Sequence, residues 1–407
     1  MPIILTFFIL FFSALNPVFA KEYSIEELLK IAEENSDNIK SAQFLAEGQK
    51  SLANQQKYWD NPILEYKNGS TNNFQISQNI PYFNKLKNRY DIENWESQAL
   101  WVQKNNVALQ VKSETFRLIY QYQIIKKRIE LAKKRLKRLE LVNKFLANLV
   151  LTSPTKKAQW FITKDKIKLV ERELILFEND LVQTWNKANI FLHLDQAPTN
   201  INMSWLDKKY YQGREFYQQS AIENNQELLA QKNLINKSQS ELEFAKIEQM
   251  PDVKISGFVE NSASNKSSAN NGVGLALSIP LINRNQEKIL GSNSNLKSRQ
   301  LNFEFQKRQL QRNIDSNVNE FETLLKISQE FPMKNLETIV NRLEEANNDF
   351  KKGILDFITY IELDSQEYQI VDATINAQID LARCYGDLMN KIGFFIIPNL
   401  KKINNND

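Results

Sequence analysis

The sequence predicts a mainly α-helical protein with a small β part, written as two tandem copies of one unit: a helix, a β-hairpin and a long coiled-coil helical hairpin. Ala32-Glu33-Glu34-Asn35-Ser36-Asp37-Asn38-Ile39 lies over Ala221-Ile222-Glu223-Asn224-Asn225-Gln226-Glu227-Leu228 at an offset of 189, and the same offset carries Pro62-Ile63-Leu64 onto Pro251-Asp252-Val253. Ile80-Pro81-Tyr82-Phe83-Asn84 matches Ile279-Pro280-Leu281-Ile282-Asn283 at an offset of 199, so the second copy has gained ten residues between its two strand-like runs. Ten Gly and ten Pro in 407 residues are few, and sparse punctuation means long elements.

The chain opens with an apolar run, Ile3 to Leu15, followed by Asn16-Pro17 and Val18-Phe19-Ala20, with no charged side chain before Lys21. Residues 1–20 therefore read as a secretory signal cleaved after Ala20, too short to span a bilayer, although the usual basic residue near Met1 is missing. Next, Ser24-Ile25-Glu26-Glu27 forms a capping box that starts a helix to about Tyr58, stopped by Asn61-Pro62. Two extended runs, Ile63 to Asn68 and Asn73 to Ile80, are joined by Gly69-Ser70-Thr71-Asn72 as a first hairpin. Asn84 to Val150 contains neither Pro nor Gly, which allows a helix of roughly 100 Å at 1.5 Å per residue. Its stripe Leu118, Tyr122, Ile125, Ile129, Ala132, Leu136, Leu139, Asn143, Leu146, Val150 alternates steps of four and three, the period of a supercoiled seam.

Thr152-Ser153-Pro154 reverses the chain, and a helix returns along Ile167, Val170, Leu174, Phe177, Leu181, Ala188 and Phe191 to about Leu194. A loop, Asp195 to Gly213, leads to the second copy: a helix Glu215 to Gln249, strands Val253 to Glu260 and Gly272 to Ile279, a helix Asn285 to Lys352, a reversal at Gly353 and a return to Phe395. The seam recurs as Leu336, Val340, Leu343, Asn347, Phe350 and Ile354 at an offset of 204, with Asn347 in register with Asn143. A buried Asn in both seams would fix their alignment at a cost in stability. The domain reading is then 21–212 and 213–397, one copy each, followed by a polar tail at 398–407.

Composition narrows the function. A net charge of +4 with 25% charged residues gives no reason to expect nucleic acid. One Cys, Cys384, rules out an intrachain disulfide, and with the single His193 it leaves no soft-metal site. No glycine-rich phosphate loop and no nucleophile with a base is present, so neither an enzyme nor a cofactor is expected. The strands point instead to a membrane. Val273, Leu275, Leu277 and Ile279 alternate with Gly274, Ala276 and Ser278, and Phe74, Ile76 and Ile80 alternate with Gln75, Ser77 and Asn79, with Gln78 on the apolar side. An apolar-out ribbon fits a barrel wall, and an ordinary half-buried sheet has the same period. Four strands cannot close a barrel, and open edges are not tolerated in lipid, so a membrane reading requires several chains to pool strands. The first-hairpin runs, six and eight residues, fall below the roughly 9–11 of a spanning strand.

The order of signal, Asn-Pro strand, second strand ending Ile-Pro-x-x-Asn and long helical hairpin, in tandem duplicate, resembles the TolC-type outer-membrane factor family over essentially the whole mature chain. The resemblance implies a homotrimer in the outer membrane, each chain giving four strands to a twelve-stranded barrel above a periplasmic α-helical tunnel. It implies a passive export duct for efflux or type I secretion, docked through a periplasmic adaptor onto an inner-membrane pump. Aligned on Gly353, the family's tip positions are Phe350, Thr359 and Glu362, where members often carry an aromatic and two lumen-facing acids; Thr359 departs from this, and Asp356 and Asp364 are nearby substitutes. Carboxylates converging on a threefold axis would favour cations, and the alternative is that they are solvated helix-surface acids. The first copy's tip, Leu149 to Pro154, lacks the Gly.

Other features read as structural: the basic run Lys126-Lys127-Arg128 to Lys137-Arg138 as a solvated coiled-coil face, His193 and Cys384 as helix-end and packing residues. Trp59, Tyr66, Phe74, Tyr82 and Phe83 read as an interfacial aromatic belt or as core. The rival function is a soluble periplasmic coiled-coil adaptor or scaffold.

Overall fold

The computed structural model describes residues 22–69, 71–150, 153–262, 269–280 and 282–397. The expected signal segment 1–20 and tail 398–407 lie outside these, as do Thr152 at the first reversal and part of the second hairpin loop. Elements run in the order β1 (Tyr23–Ser24), α1 (Ile25–Asn35), α2 (Asp37–Gln55), β2 (Ile63–Asn68), β3 (Thr71–Ile80), α3 (Lys85–Ala147) and α4 (Pro154–Leu192) in the first half. The second half adds β4 (Ile201–Asn202), a short 3-10 turn at Lys208–Tyr210, α5 (Arg214–Asn224), α6 (Gln226–Glu248), β5 (Val253–Ser262), β6 (Ala269–Leu277), α7 (Gln286–Glu330), α8 (Asn335–Lys352) and α9 (Phe357–Ile392).

The capping box forms: Glu27 N–H donates to Ser24 Oγ at 3.1 Å and Ser24 N–H to Glu27 Oε2 at 2.7 Å. The helix it opens does not run unbroken to Tyr58. It breaks at Ser36, whose backbone is extended (φ −60, ψ 119), and the helix expected from Glu215 to Gln249 breaks at Asn225 (φ −59, ψ 121), its equivalent at the offset of 189. Each break receives the end of its own copy's return helix. Asn35 donates its side-chain amide to Leu192 O at 2.7 Å, and Asn225 donates to Lys391 O at 3.0 Å, so the orphan carbonyls that close α4 and α9 are met by the kinks. Both return helices end on a left-handed residue, His193 (φ 52) and Gly393 (φ 86), which gives His193 its structural role.

α3 is continuous over 63 residues, about 95 Å. Its counterpart is not: the helix expected from Asn285 to Lys352 stops at Glu330 and restarts at Asn335. Pro332 has no N–H to continue the ladder and pushes Phe331 out of the helical region (φ −118, ψ 67). The return helix ends at Ile392 rather than Phe395. Of the two seams, Ile125, Ile129, Ala132 and Leu139 bury against Val170 and Leu174 of α4, while Leu336, Val340, Leu343 and Phe350 are buried on α8. Ile354, the last expected seam position, is instead exposed beyond the end of α8. Asn347 is buried and Asn143 half-buried, each with its side-chain oxygen unpartnered.

Where the two copies meet midway, a core of large aromatics forms around Phe116, Tyr120, Tyr217, Phe321 and Tyr385, with Phe395 packed against Phe116 at 5.3 Å. The loop 195–213 joins this core through Leu206 and Tyr210 and adds β4, which pairs parallel with β1 (Tyr23↔Ile201). The four remaining strands form one antiparallel sheet in the order β2-β3-β5-β6, so the hairpins of the two copies are stitched together at β3 and β5 from Thr71↔Ser262 to Ile80↔Val253.

Candidate functional site: the sheet and the helical tip

Register places Leu64, Tyr66, Phe74, Ile76, Ile255, Val259, Val273, Leu275 and Leu277 on one face of the sheet. None of this face is covered within the chain: Val273 is 84% exposed, Leu275 74% and Leu64 74%. The opposite face carries Glu65, Lys67, Gln75, Ser77, Lys254, Ser256 and Glu260. An apolar face of this extent exposed to water would cost on the order of 25 cal/mol per Å², so it marks a surface built to be covered. β3 and β5 reach ten residues and β6 nine, longer than expected; at roughly 3.3 Å per residue and a tilt of about 40°, ten residues rise about 25 Å, the height of a barrel's apolar band. β2 is shorter, six residues.

Ile279, expected within the last strand, lies beyond the end of β6 at Leu277 and is exposed. Gln78 interrupts the apolar face at the rim, where its amide donates to Asp60 O at 2.9 Å and Asn79 O at 3.0 Å. Tyr58, Trp59, Tyr82 and Phe83 are all exposed and flank the strands at the helix end of the sheet, so they are not core residues; Tyr66 and Phe74 pair across β2 and β3 with ring centroids 4.5 Å apart. Lys85 at the start of α3 is tied across to Asp252 before β5 at 2.8 Å, which fixes the sheet on its helical stalk. Among the described residues no helix is long and apolar enough to cross a membrane.

At the far end, α8 turns into α9 through Gly353, left-handed at φ 77, whose N–H donates to Phe350 O at 3.0 Å while Ile354 N–H donates to Asp349 O at 2.9 Å. Asp356 then caps α9: its carboxylate accepts Ile358 N at 2.9 Å, Thr359 N at 3.0 Å and Thr359 Oγ1 at 2.6 Å, bonds that hold it below the usual carboxylate range. The six tip residues singled out from sequence fall in three environments. Asp356, Thr359 and Glu362 are exposed, Glu362 accepting Gln366 Nε2 at 2.9 Å. Phe350 is buried, stacked on Tyr360 at 5.3 Å with Phe145 and Phe357 around it.

Asp364 is 0% exposed and faces Arg135 and Arg138 of α3. Arg135 gives it Nε at 2.9 Å and Nη2 at 2.8 Å, and its guanidinium lies over the Tyr368 ring at 3.9 Å; Arg138 stands 3.7 Å away. Two turns higher Arg128 reaches Asp372 at 2.9 Å and Asn376 at 3.2 Å. Burial, with Asp364 nearby, pushes the Tyr360 hydroxyl up to about 12. Arg128, Arg135 and Arg138 thus correct the reading of the whole basic run as solvated. Together with Leu131 and Val142, Arg135 and Arg138 occupy a second seam on α3, stepping by four, three and four, that faces the other helical hairpin. That spacing was the available signal.

A chain of this kind, with an open-edged sheet apolar on one face and carried on long paired helical hairpins, has the fold of the TolC-type outer-membrane channels. It superposes on the open state of the MtrE outer membrane channel of Neisseria gonorrhoeae with a TM-score of 0.73 at 12% identity, over 91% of this chain and 89% of that one. The VceC outer membrane protein of Vibrio cholerae gives 0.68 at 13% identity over 91% and 96%, and the CmeC outer membrane channel of Campylobacter jejuni 0.70 at 11% over 91% and 85%. No protein-family model and no curated protein matches the sequence itself.

Proposed function

We propose that the chain is one protomer of a trimeric outer-membrane channel of a Gram-negative bacterium, a passive export duct from periplasm to exterior in an efflux or type I secretion system. The observation that carries it is the four-stranded sheet with an exposed apolar face and two open edges, β2 and β6, at the end of a helical stalk whose longest helix, α3, is about 95 Å long. Lipid covers the apolar face, and pairing of β2 with β6 of a neighbour closes the edges, which satisfies every backbone group in the bilayer. Three chains supply twelve strands. The helical hairpins form the periplasmic tunnel, whose tip meets an adaptor and, through it, an inner-membrane pump that supplies the energy. Asp356 and Glu362, exposed at the tip, place six carboxylates near the axis of a trimer and favour cations there.

Membrane fractionation and mass measurement in detergent test this reading. A trimer recovered from the outer membrane, with deletion of the gene raising sensitivity to a hydrophobic toxicant or a metal salt or abolishing secretion of a protein, is the expected result. A protein that stays soluble without detergent, with apolar-to-charged changes on β6 tolerated, would instead make it a periplasmic scaffold.

A further inference from the structure

We propose that neighbouring copies of this chain are held at the tip by opposite charge: the basic free flank of α4 in one copy receives the acidic free edge of the α8/α9 hairpin in the next. The inference rests on the trimeric reading above. Residues 126–180 carry fifteen Lys and Arg against seven Asp and Glu, whereas the equivalent 330–384, at the seam offset of 204, carry five against eleven. Duplication alone would give the two hairpins the same sign.

Within the chain, one side of each hairpin is already used. Arg128 with Asp372, Arg135 and Arg138 with Asp364, and Lys166 with Ser365 at 2.6 Å all join the first hairpin to α9. Among the described residues the other sides make no ion pair to the other hairpin. On α8, Arg342 reaches Glu367 of α9 at 3.0 Å, while Glu337 and Glu344, one heptad apart on the flank opposite Arg342, are exposed, as is Glu345, and no ion pair joins these three to another described residue. On α4, Lys157, Lys164 and Lys168 are exposed on the same flank as Phe161, Ile175 and Val182, exposed apolar residues that share one heptad row with Lys168. An apolar heptad stripe edged by lysines is one half of a coiled-coil interface. The acidic hairpin exposes Ile354 at its turn and Ile370 on α9 to complement it. A chain with one basic and one acidic free edge is complementary to itself head to tail, which is the condition for a closed ring, and three copies then present six hairpins of alternating sign.

The test uses the full-length protein in detergent, with amide exchange at 154–172 and 335–352 as the readout, across about 0.05 to 0.5 M salt, a range over which exposed charges become screened. Three variants are compared: Glu337→Lys with Glu344→Lys and Glu345→Lys; Lys157→Glu with Lys164→Glu and Lys168→Glu; and all six together. Each triple is expected to speed tip exchange about tenfold at low salt without dissociating the barrel, and the sixfold variant to restore the parent. Exchange that is indifferent to salt, or a sixfold variant no better than its parts, would overturn the pairing while leaving the trimer intact. So would triples with parental exchange in which Lys157, Lys164 and Lys168 prove necessary only for retention of an acidic helical peptide, since the basic flank would then belong to a partner. A monomeric parent would overturn the trimeric reading itself.

Discussion

Arg135 and Asp364, 229 residues apart, meet inside the protein with Arg135 Nη2 2.8 Å from Asp364 Oδ2, and this contact joins the helical hairpin of one repeat to that of the other. Asp364 is the only carboxylate within 4 Å of either Arg135 or Arg138 among the described residues. One buried anion therefore balances two buried cations. Removing it leaves both guanidiniums uncompensated, whereas removing all three leaves no unpaired guanidinium behind.

Asp364→Asn is accordingly expected to destabilise the tip by about 3–5 kcal/mol, seen as lost amide protection over 128–145 and 357–372. The triple change Arg135→Leu, Arg138→Leu, Asp364→Leu should recover most of that loss. If the single change were silent, the ion pair would not hold the hairpins together.

On the sheet, Val273→Lys puts a charge on the central row of the apolar face, with Leu64, Ile76 and Gly257, and should cost roughly 2–4 kcal/mol of barrel stability, reducing trimer recovered from the membrane. Gln75→Lys, a central position on the polar face, should leave recovery unchanged. Equal effects at both sites would mean that neither face meets lipid.

Burial lifts the Glu173 carboxyl above the usual carboxylate range despite nearby Arg135, and its Oε2 has no partner. With the folded pKa above the unfolded value, the unfolded chain loses its proton first, so stability falls as pH rises from about 4 through the folded value. Glu173→Gln should therefore raise the melting temperature at pH 7, with the gain vanishing below about pH 4. A gain of the same size at both pH values would contradict the assignment.

Gly393 closes α9 at φ 86, and a Cβ there would lie 1.9 Å from Asn224 O, on the kink between α5 and α6. Left-handed strain alone costs Ala about 1 kcal/mol, and the clash with backbone adds to it, so Gly393→Ala should lower the melting temperature clearly. Gly48→Ala, in α2 with nothing within 4 Å of the added Cβ, should raise stability by about 0.8 kcal/mol. The contrast separates the constraint at Gly393 from any general effect of adding a methyl group.

Much of the molecule was legible in residue order. The first seam of α3 could be read because every position from Leu118 to Leu139 is apolar and the steps alternate strictly. The second seam has the same spacing but is missed, because arginines at 135 and 138 look like solvent residues until an acid is brought opposite them. The breaks at Ser36 and Asn225 carry neither Pro nor Gly; what makes them breaks is the end of a return helix needing a hydrogen-bond donor there. Pro332 was visible, and its effect is local and steric, so the unbroken helix expected across it was a misreading. Of the acids at the tip, only contact with α3 separates buried Asp364 from exposed Glu362, two positions away on the same helix.

By itself, then, the sequence determined the duplicated plan, the long α3 and the two-faced strands, because these depend on periodicities of 3.5 and 2 and on local punctuation. Tertiary structure alone decided that the two β-hairpins join at β3 and β5, that Arg135 and Arg138 turn inward and that each kink caps a helix end. Those outcomes depend on which distant group supplies the missing charge or hydrogen bond, and sequence periodicity carries no information about that.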